Sequence, residues 1–579
     1  MTLGSTRSTV AYFSMEICLE QAIPTYSGGL GVLAGDTLRS AADLGVPEVA
    51  VTLLHRKGYF EQHLDREGQQ TESPVSWKPE AALEPLEERS TVLIEGRTVH
   101  IAAWKYAVKG VRGHEVPVYL LDTNLPENGE FDRTLTDYLY GGDEHYRLCQ
   151  EIVLGMGGTE MLRALGYDDG VIYHLNEGHS ALLTLQLLET QLDGRQHFEL
   201  LDADLDVVRQ RCVFTTHTPV PAGHDKFPVD MVRNVLGDER VALLEGAGGV
   251  HEGMLNMTHL ALHLTRFVNG VAMRHRDVSR SMFPDYPISS ITNGVHATTW
   301  ANPAFSALFD RLIPEWRRDN LYLRYAVSIP LQDIRDAHAA SKLALLAEVE
   351  RRTKVQLDPA VMTIGFARRA TPYKRADMIF SDIERLMTIA KNVGKLQIVF
   401  GGKAHPRDGG GKELIRRIYA ARERLGHLVE VVYLENYEMA LAAKMVAGVD
   451  LWLNNPMKPL EASGTSGMKA AINGVPSFSV LDGWWVEGHV EGVTGWSIGG
   501  PDAEGDPGRD ALDLYLKLER VILPLYYGLP FAYAEVMRSA IALNGSFFNT
   551  QRMVRQYVHN AYFPAGLPAD IHVEETALL

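Results

Sequence analysis

The chain has 579 residues, 46% of them hydrophobic and 22% charged, and carries a net charge of −17. That length exceeds what one hydrophobic core usually serves, so at least two domains are expected. The acidity argues against wrapping a polyanion, because nucleic-acid binding needs a basic face, but a local basic pocket for a small anion stays compatible with it.

The start, Met1 to Arg7, lacks the charged-then-apolar run of a secretory signal. No stretch of about 18 apolar residues follows, so the expectation is a cytoplasmic protein with no membrane span. Val10-Ala11-Tyr12-Phe13 reads as a first buried strand. Ser27-Gly28-Gly29-Leu30-Gly31 through Asp36 then forms a glycine-rich turn leading into a helix-like segment. Glycines let backbone approach a ligand and a helix start offers free N–H groups to an anion, although a tight structural turn would look the same. Gly170 to Leu175 and Cys212 to Thr216 are further strand-like runs. The second leads into His217-Thr218-Pro219-Val220-Pro221-Ala222-Gly223-His224, and Asn293-Gly294-Val295-His296 stands in a similar place further on. Polar residues there suit hydroxyl recognition, while a lone histidine is more often structural. His259 and His263 have i, i+4 spacing without a third ligand, which predicts packing or surface rather than zinc. Cys18, Cys149 and Cys212 are scattered and odd in number, so no disulfide framework and no metal site is expected.

A mostly helical stretch from Asn302 to about Thr353 separates this set from a second. Within it, the Leu331-to-Val349 segment is rich in strong helix formers. Met362 to Phe366, Leu396 to Phe400 and Val429 to Leu434 are again strand-like, and Asp408-Gly409-Gly410-Gly411 reads as a short loop. Continuous β-branched runs alternating with helices imply an α/β architecture with parallel sheets buried on both faces. Two doubly wound, Rossmann-like domains facing across a cleft are expected. Ligands of such sheets bind beyond the carboxyl ends of the strands, which directs attention to the loops there. Arg368-Arg369-Ala370-Thr371-Pro372-Tyr373-Lys374-Arg375 puts four basic residues within eight; a solvated basic loop would read the same, but the position at a strand's carboxyl end favours a phosphate clamp. Pro459 to Gly474 includes Glu461-Ala462-Ser463-Gly464-Thr465-Ser466-Gly467-Met468-Lys469, a nest of small residues opening a helix. It is not a P-loop, since Met468 separates glycine from lysine, and Lys469 could be a phosphate ligand or an imine-forming amine. Ser546 to Pro564 holds irregularly spaced aromatics and is expected to cap a domain.

Taken together these segments resemble the α-glucan (glycogen, starch, maltodextrin) phosphorylase family. The likeness runs in order through Tyr12-Phe13-Ser14-Met15-Glu16, Gly28-Gly29-Leu30-Gly31, Asn176-Glu177-Gly178-His179, Thr216-His217-Thr218 and Ile291-Thr292-Asn293-Gly294. It continues through Tyr373-Lys374-Arg375, Gly401-Gly402-Lys403-Ala404, Leu434-Glu435-Asn436-Tyr437 and Glu461 to Lys469. The resemblance implies a GT-B type fold, with residues 1–297 as a Rossmann-like glucan domain. Residues 298–579, with the C-terminal helical segment, would form a Rossmann-like domain binding pyridoxal phosphate. It implies that Lys469 holds pyridoxal phosphate as an imine, that Thr465, Ser466 and Arg368 contact the cofactor phosphate, and that Tyr437 lies beside it. Arg369, Lys374 and the backbone of Gly29 would hold the substrate phosphate. His217, Asn293, Glu461, Ser463 and Gly464 would hold the glucosyl unit, His217 being counted with Arg369 and Lys374 in the catalytic set.

The implied reaction is retaining, reversible phosphorolysis of terminal α-1,4-linked glucose to α-glucose 1-phosphate. The implied partners are an α-glucan, inorganic phosphate and glucose 1-phosphate, with room for a homodimer. The alternatives are a phosphorylase of another α-glucoside and a nucleotide-sugar-dependent glycosyltransferase of the same fold. Ala370-Thr371-Pro372, Ser466-Gly467, Trp484-Trp485-Val486-Glu487-Gly488 and Phe548-Asn549-Thr550-Gln551-Arg552-Met553-Val554 resemble the shorter bacterial and archaeal branch. That branch often has an extra N-terminal domain and the animal enzymes a phosphorylated tail. Neither is expected here, nor is control by N-terminal phosphorylation.

Overall fold

The computed structural model describes residues 8–193, 200–500 and 505–564; the reading of Met1 to Arg7 falls outside them. Two open sheets organise the chain. The first has nine strands in the order Ile288–Ser290, Phe267–Gly270, Cys212–Thr215, Val171–Asn176, Thr9–Ser14, Glu48–Leu53, Glu115–Asp122, Arg97–Lys109, Glu84–Ile94. The strands from Ile288 to Glu115 pair in parallel, and the last two are added antiparallel. The second sheet is all parallel, in the order Val429–Leu434, Leu396–Gly401, Met362–Ala367, Leu451–Asn454, Ser477–Val480, Gly495–Ile498.

The expected strands are present, and the composition explains them. Val171–Asn176 and Met362–Ala367 are buried along their whole length, as strands covered on both faces must be. Sequence reading passed over the antiparallel edge. Glu84–Ile94 is charged and exposed over its first half and alternates in exposure over its second, so it lacks the continuous apolar run that marked the others. A second difference concerns Asp408 to Gly411. The glycines are not a loop but the first turn of the Gly409–Leu425 helix, and the Asp408 carboxylate accepts the Gly411 N–H at 2.8 Å. This carboxylate cap satisfies an orphan donor and offsets the poor helix propensity of three glycines.

Between the sheets lie the Pro303–Leu312 helix, a 3₁₀ segment at Asn320–Ser328 and the 23-residue Leu331–Thr353 helix. The end of the chain then crosses back. The Thr550–Tyr557 helix and the turns to Tyr562 pack on the first sheet, where Met553, Tyr557, Ala561 and Tyr562 join Val10, Leu33, Ile172, Val213 and Ile291 in one buried cluster. Gly294 makes room for this returning segment. A Cβ there would lie 2.2 Å from the Asn549 carbonyl carbon.

In both sheets the strand order reverses next to a central strand. In the second sheet this happens between Met362–Ala367 and Leu451–Asn454, and in the first between Thr9–Ser14 and Glu48–Leu53 on one side and Val171–Asn176 on the other. Such switch points leave a crevice at the carboxyl ends of the strands. The loops leaving those ends meet across the two units. Met439 N–H donates to Tyr26 Oη at 2.9 Å, and Cys18 Sγ lies 3.4 Å from Met439 Sδ.

Candidate active site

On the first sheet, the strand Thr9–Ser14 ends two residues before Glu16, whose buried carboxylate turns the chain. Its Oε2 accepts Ser27 N–H at 2.5 Å and Gly28 N–H at 3.2 Å, and its Oε1 accepts the Tyr140 hydroxyl at 2.9 Å. Gly31 makes this packing possible, because a Cβ there would lie 2.7 Å from Glu16 Oε2. The Gly29–Leu44 helix therefore starts with Ser27 and Gly28 already bonded, and with open space around Gly29. The next strand exit, at Asn176, leads into Glu177, which holds φ +74° and accepts N–H groups from Gly178 and His217 and the Thr218 hydroxyl. His217 Nε2 sits 2.7 Å from Asn176 Oδ1. Burial pushes the His217 ring down to about 3, so it is neutral at physiological pH and Nε2–H donates to the amide oxygen. His217 is thus a hydrogen-bonding group and not a proton donor of ordinary strength. Asn293 is held through its backbone, its carbonyl accepting from Arg552 at 2.9 Å, while its buried Oδ1 has no protein partner.

On the second sheet, the loop after Met362–Ala367 carries the expected cations to one carboxylate. Glu461 accepts two hydrogen bonds from Arg368, at 2.6 and 2.8 Å, and one from Lys374 at 2.6 Å. Arg368 also donates to Asn454 Oδ1 at the end of the neighbouring strand, across the switch point. Burial alone would raise the Glu461 carboxyl; Arg368 and Lys374 overcome it and hold the group at about 2. The Glu461 N–H is taken by Asp482, a carboxyl that burial pushes up to about 6. Tyr437 lies against Gly401, and Arg369 lies among Tyr373, Tyr59 and Tyr140. Arg375, by contrast, is structural: it donates to the carbonyls of Asn455 and Pro456 and pairs with Asp510.

The segment Glu461 to Lys469 makes a sharp turn at Gly464, φ +86°, and enters the Ser466–Ile472 helix. Thr465 makes no side-chain cap bond, Ser466 Oγ accepts from Trp452 Nε1 at 3.0 Å, and Ser463 Oγ is buried with no protein partner. Lys469 is buried, its Nζ 3.9 Å from the centroid of the Trp300 ring. Trp300 is fixed by donating to Asp36 Oδ2 at 2.7 Å, a carboxylate of the Gly29–Leu44 helix that also takes the His296 N–H. Burial lowers the Lys469 amine to about 8 against the pull of Asp36. A much larger fraction of it is therefore a free-base nucleophile near neutral pH than for an exposed lysine.

The structure thus joins Arg368, Lys374 and Glu461 directly and sets Arg369 and Tyr437 on the loops around them. It places Gly29, His217 and Asn293 at the carboxyl edge of the first sheet. Sequence reasoning quoted Glu16, Asp36 and Glu177 within motifs but gave them no role, and it missed Trp300 and Asp482. The usable signal for Glu16 and Glu177 was position: each follows a buried strand by one or two residues. His259 is packed against the rings of His251, Phe283 and Tyr286. Among the described residues no group of three or more His, Cys, Asp or Glu could hold a metal, and no helix is long and apolar enough to cross a membrane.

Comparison with known proteins adds independent information. The sequence profile of the carbohydrate phosphorylase family matches residues 237–493. The maltodextrin phosphorylase of Thermococcus litoralis is 41% identical over 96% of this chain and 70% of its own length. The glycogen phosphorylase of Mycobacterium tuberculosis is 38% identical, covering 96% of this chain and 71% of its own. That of Aquifex aeolicus is 34% identical, with 96% and 86% covered.

Proposed function

The chain belongs to the carbohydrate phosphorylase family, and from that premise we propose that it is an α-glucan phosphorylase. It removes terminal α-1,4-linked glucose with inorganic phosphate, reversibly and with retention, as α-glucose 1-phosphate. The observation that carries the assignment is the buried, low-pKa Lys469 amine, held in one short segment with Glu461, on which Arg368 and Lys374 converge.

The residues present fit pyridoxal phosphate. Lys469 offers a buried amine of raised nucleophilicity for its aldehyde. Arg368, Thr465, Ser466 and the turn at Gly464 would offer charge and donors for its phosphate, with Tyr437 beside it. When bound, the cofactor supplies a phosphate group that can hold or give a proton next to the substrate phosphate.

The chain's own work is binding and charge control. Arg369, Lys374 and the Gly29 N–H hold the substrate phosphate, and with the cofactor bound they would offset the repulsion between its phosphate and the substrate's. Asn293 Oδ1 and Ser463 Oγ, both buried without protein partners, complete their bonding with sugar hydroxyls. Neutral His217, its Nε2–H committed to Asn176, presents Nδ1 as an acceptor, and Glu461 and the Gly464 amide add to the same recognition. Phosphate protonates the leaving glycosidic oxygen and then attacks the anomeric carbon on the same face. No pair of carboxylates is required, unlike the usual glycosidase arrangement.

The test is to incubate the purified protein with maltodextrin and phosphate, assay glucose 1-phosphate, and trap the cofactor with borohydride. A reduced pyridoxyl group on Lys469 together with sugar phosphate is expected. Absence of the pyridoxyl group removes the role of Lys469. Its presence with no sugar phosphate from any α-1,4-glucan removes the substrate.

A further inference from the structure

The loop after the second strand of the first sheet folds into a hairpin, Glu61–Leu64 paired with Gln70–Ser73, that lies on the other unit. Its two glutamines are buried, at 1% and 2% exposure, and their amides reach main chain in the loops that leave two strands of the second sheet, Gln70 also donating to Glu72. Gln62 Nε2 donates to the Gly402 carbonyl at 3.0 Å, and its Oε1 accepts the Asn436 N–H at 2.9 Å. Gln70 Nε2 donates to the Ala404 carbonyl at 2.8 Å, and its Oε1 accepts the Ala404 N–H at 3.0 Å. The two amides also bond one another, Gln62 Nε2 to Gln70 Oε1 at 2.9 Å. Lys403 Nζ reaches back to the Phe60 carbonyl at 2.8 Å.

These bonds end on backbone that carries the cationic loop. Arg368 N–H donates to the Gly401 carbonyl at 3.1 Å, and Ala370 N–H to the Lys403 carbonyl at 2.9 Å. Gly402, at φ +134°, is in such close contact that a Cβ would fall 1.8 Å from the Arg368 carbonyl oxygen. The other anchor, Asn436, holds φ +52° immediately before Tyr437. A contact needed only for adhesion would not have to end on the two turns that brace Arg368 to Ala370 and Tyr437.

We propose that Gln62 and Gln70 are positioning residues for the phosphate site: the hairpin, from the first unit, sets the main-chain position of Arg368–Ala370 and Tyr437 in the second. The inference rests on the proposed function for its site but concerns how that site is held. Each glutamine fills both a donor and an acceptor role inside a buried contact, so its loss leaves main-chain groups unpaired and free to shift. A displacement of Arg369 by a fraction of an ångström weakens the grip on phosphate before it weakens the fold.

The experiment uses full-length holoenzyme carrying Gln62→Met or Gln70→Met, which keep the side chain's length without strong hydrogen bonding. His63→Ala, on the exposed face of the same hairpin and bonded only to Ser73, is the control. Binding of inorganic phosphate is followed by calorimetry, and phosphorolysis by KM and kcat for phosphate and for maltodextrin. The expected result is phosphate binding and phosphate KM weakened about tenfold, with the maltodextrin KM unchanged and His63→Ala like the parent. If both methionine variants bind phosphate within twofold of the parent and lose only thermal stability, the hairpin is adhesive and the proposal fails. If one variant does not fold, the other decides. A parent that binds phosphate without phosphorolysis would defeat the proposed function alone, and the binding arm would still judge the hairpin.

Discussion

On the first sheet the loop that faces the proposed phosphate site, Ser27 to Gly31, has no cation and is pinned by a carboxylate, Glu16. On the second sheet the corresponding loop brings Arg368 and Lys374 to a carboxylate, Glu461. Both loops are organised by a buried acid, yet the acids act differently. Glu16 takes the Ser27 and Gly28 N–H groups, so in the proposed site that side contributes oriented amides whose value depends on shape. Glu461 neutralises buried charge, so the other side contributes cations whose value depends on ionisation. The first loop should break by steric change and the second by charge change.

The largest effect is expected from Glu461→Gln, which leaves two buried cations without their counter-charge. Removing one partner of such a cluster costs about 3–5 kcal/mol, read as a lower urea midpoint with an unchanged slope. Lys374→Ala should keep the cofactor and lose phosphorolysis by roughly 10²–10³-fold, as for deletion of one preorganised donor. Unchanged phosphate kinetics would take Lys374 out of the site. Acid provides a third test. Glu461 is held at about 2 against an ordinary 4.5, so its stabilisation is full above about 4.5 and is lost as pH falls toward 2. That difference corresponds to about 3 kcal/mol, and Glu461→Gln should flatten this part of the stability-versus-pH curve. The smallest effect should come from the other loop. Gly31→Ala forces a methyl onto Glu16 Oε2 and Tyr26 Cβ, each 2.7 Å away, and should cost about 1–3 kcal/mol with a raised phosphate KM and no change in acid sensitivity. If Gly31→Ala leaves phosphate kinetics untouched, the amide side of the comparison is wrong.

Much of this was legible in the sequence because it rests on short-range signals. Runs such as Val171–Asn176 and Met362–Ala367 announce buried parallel strands, and Arg368 to Arg375 and Glu461 to Lys469 follow where such sheets bind ligands. What escaped reading was long-range or depended on exposure. The edge strand Glu84–Ile94 is half wet and charged. The Gly409 helix depends on one carboxylate cap that overrides glycine's low propensity. The convergence of Arg368 and Lys374 on Glu461 spans about ninety residues, and the pairing of Gln62 with Asn436 spans 374; no local pattern encodes either. Asp36 and Trp300 look like ordinary helix and loop residues until folding brings them beneath Lys469.

The return of the Thr550–Tyr557 helix to the first sheet bears on how the chain is made. The first sheet is synthesised early, but its face at Val10, Ile172 and Val213 is covered by Met553, Tyr557 and Tyr562, more than 330 residues downstream of Val213. Until that helix emerges from the ribosome, an apolar face waits in water and the Asn293 loop lacks Arg552. The core of the first sheet is therefore completed only by residues that lie beyond the whole of the second sheet in the sequence.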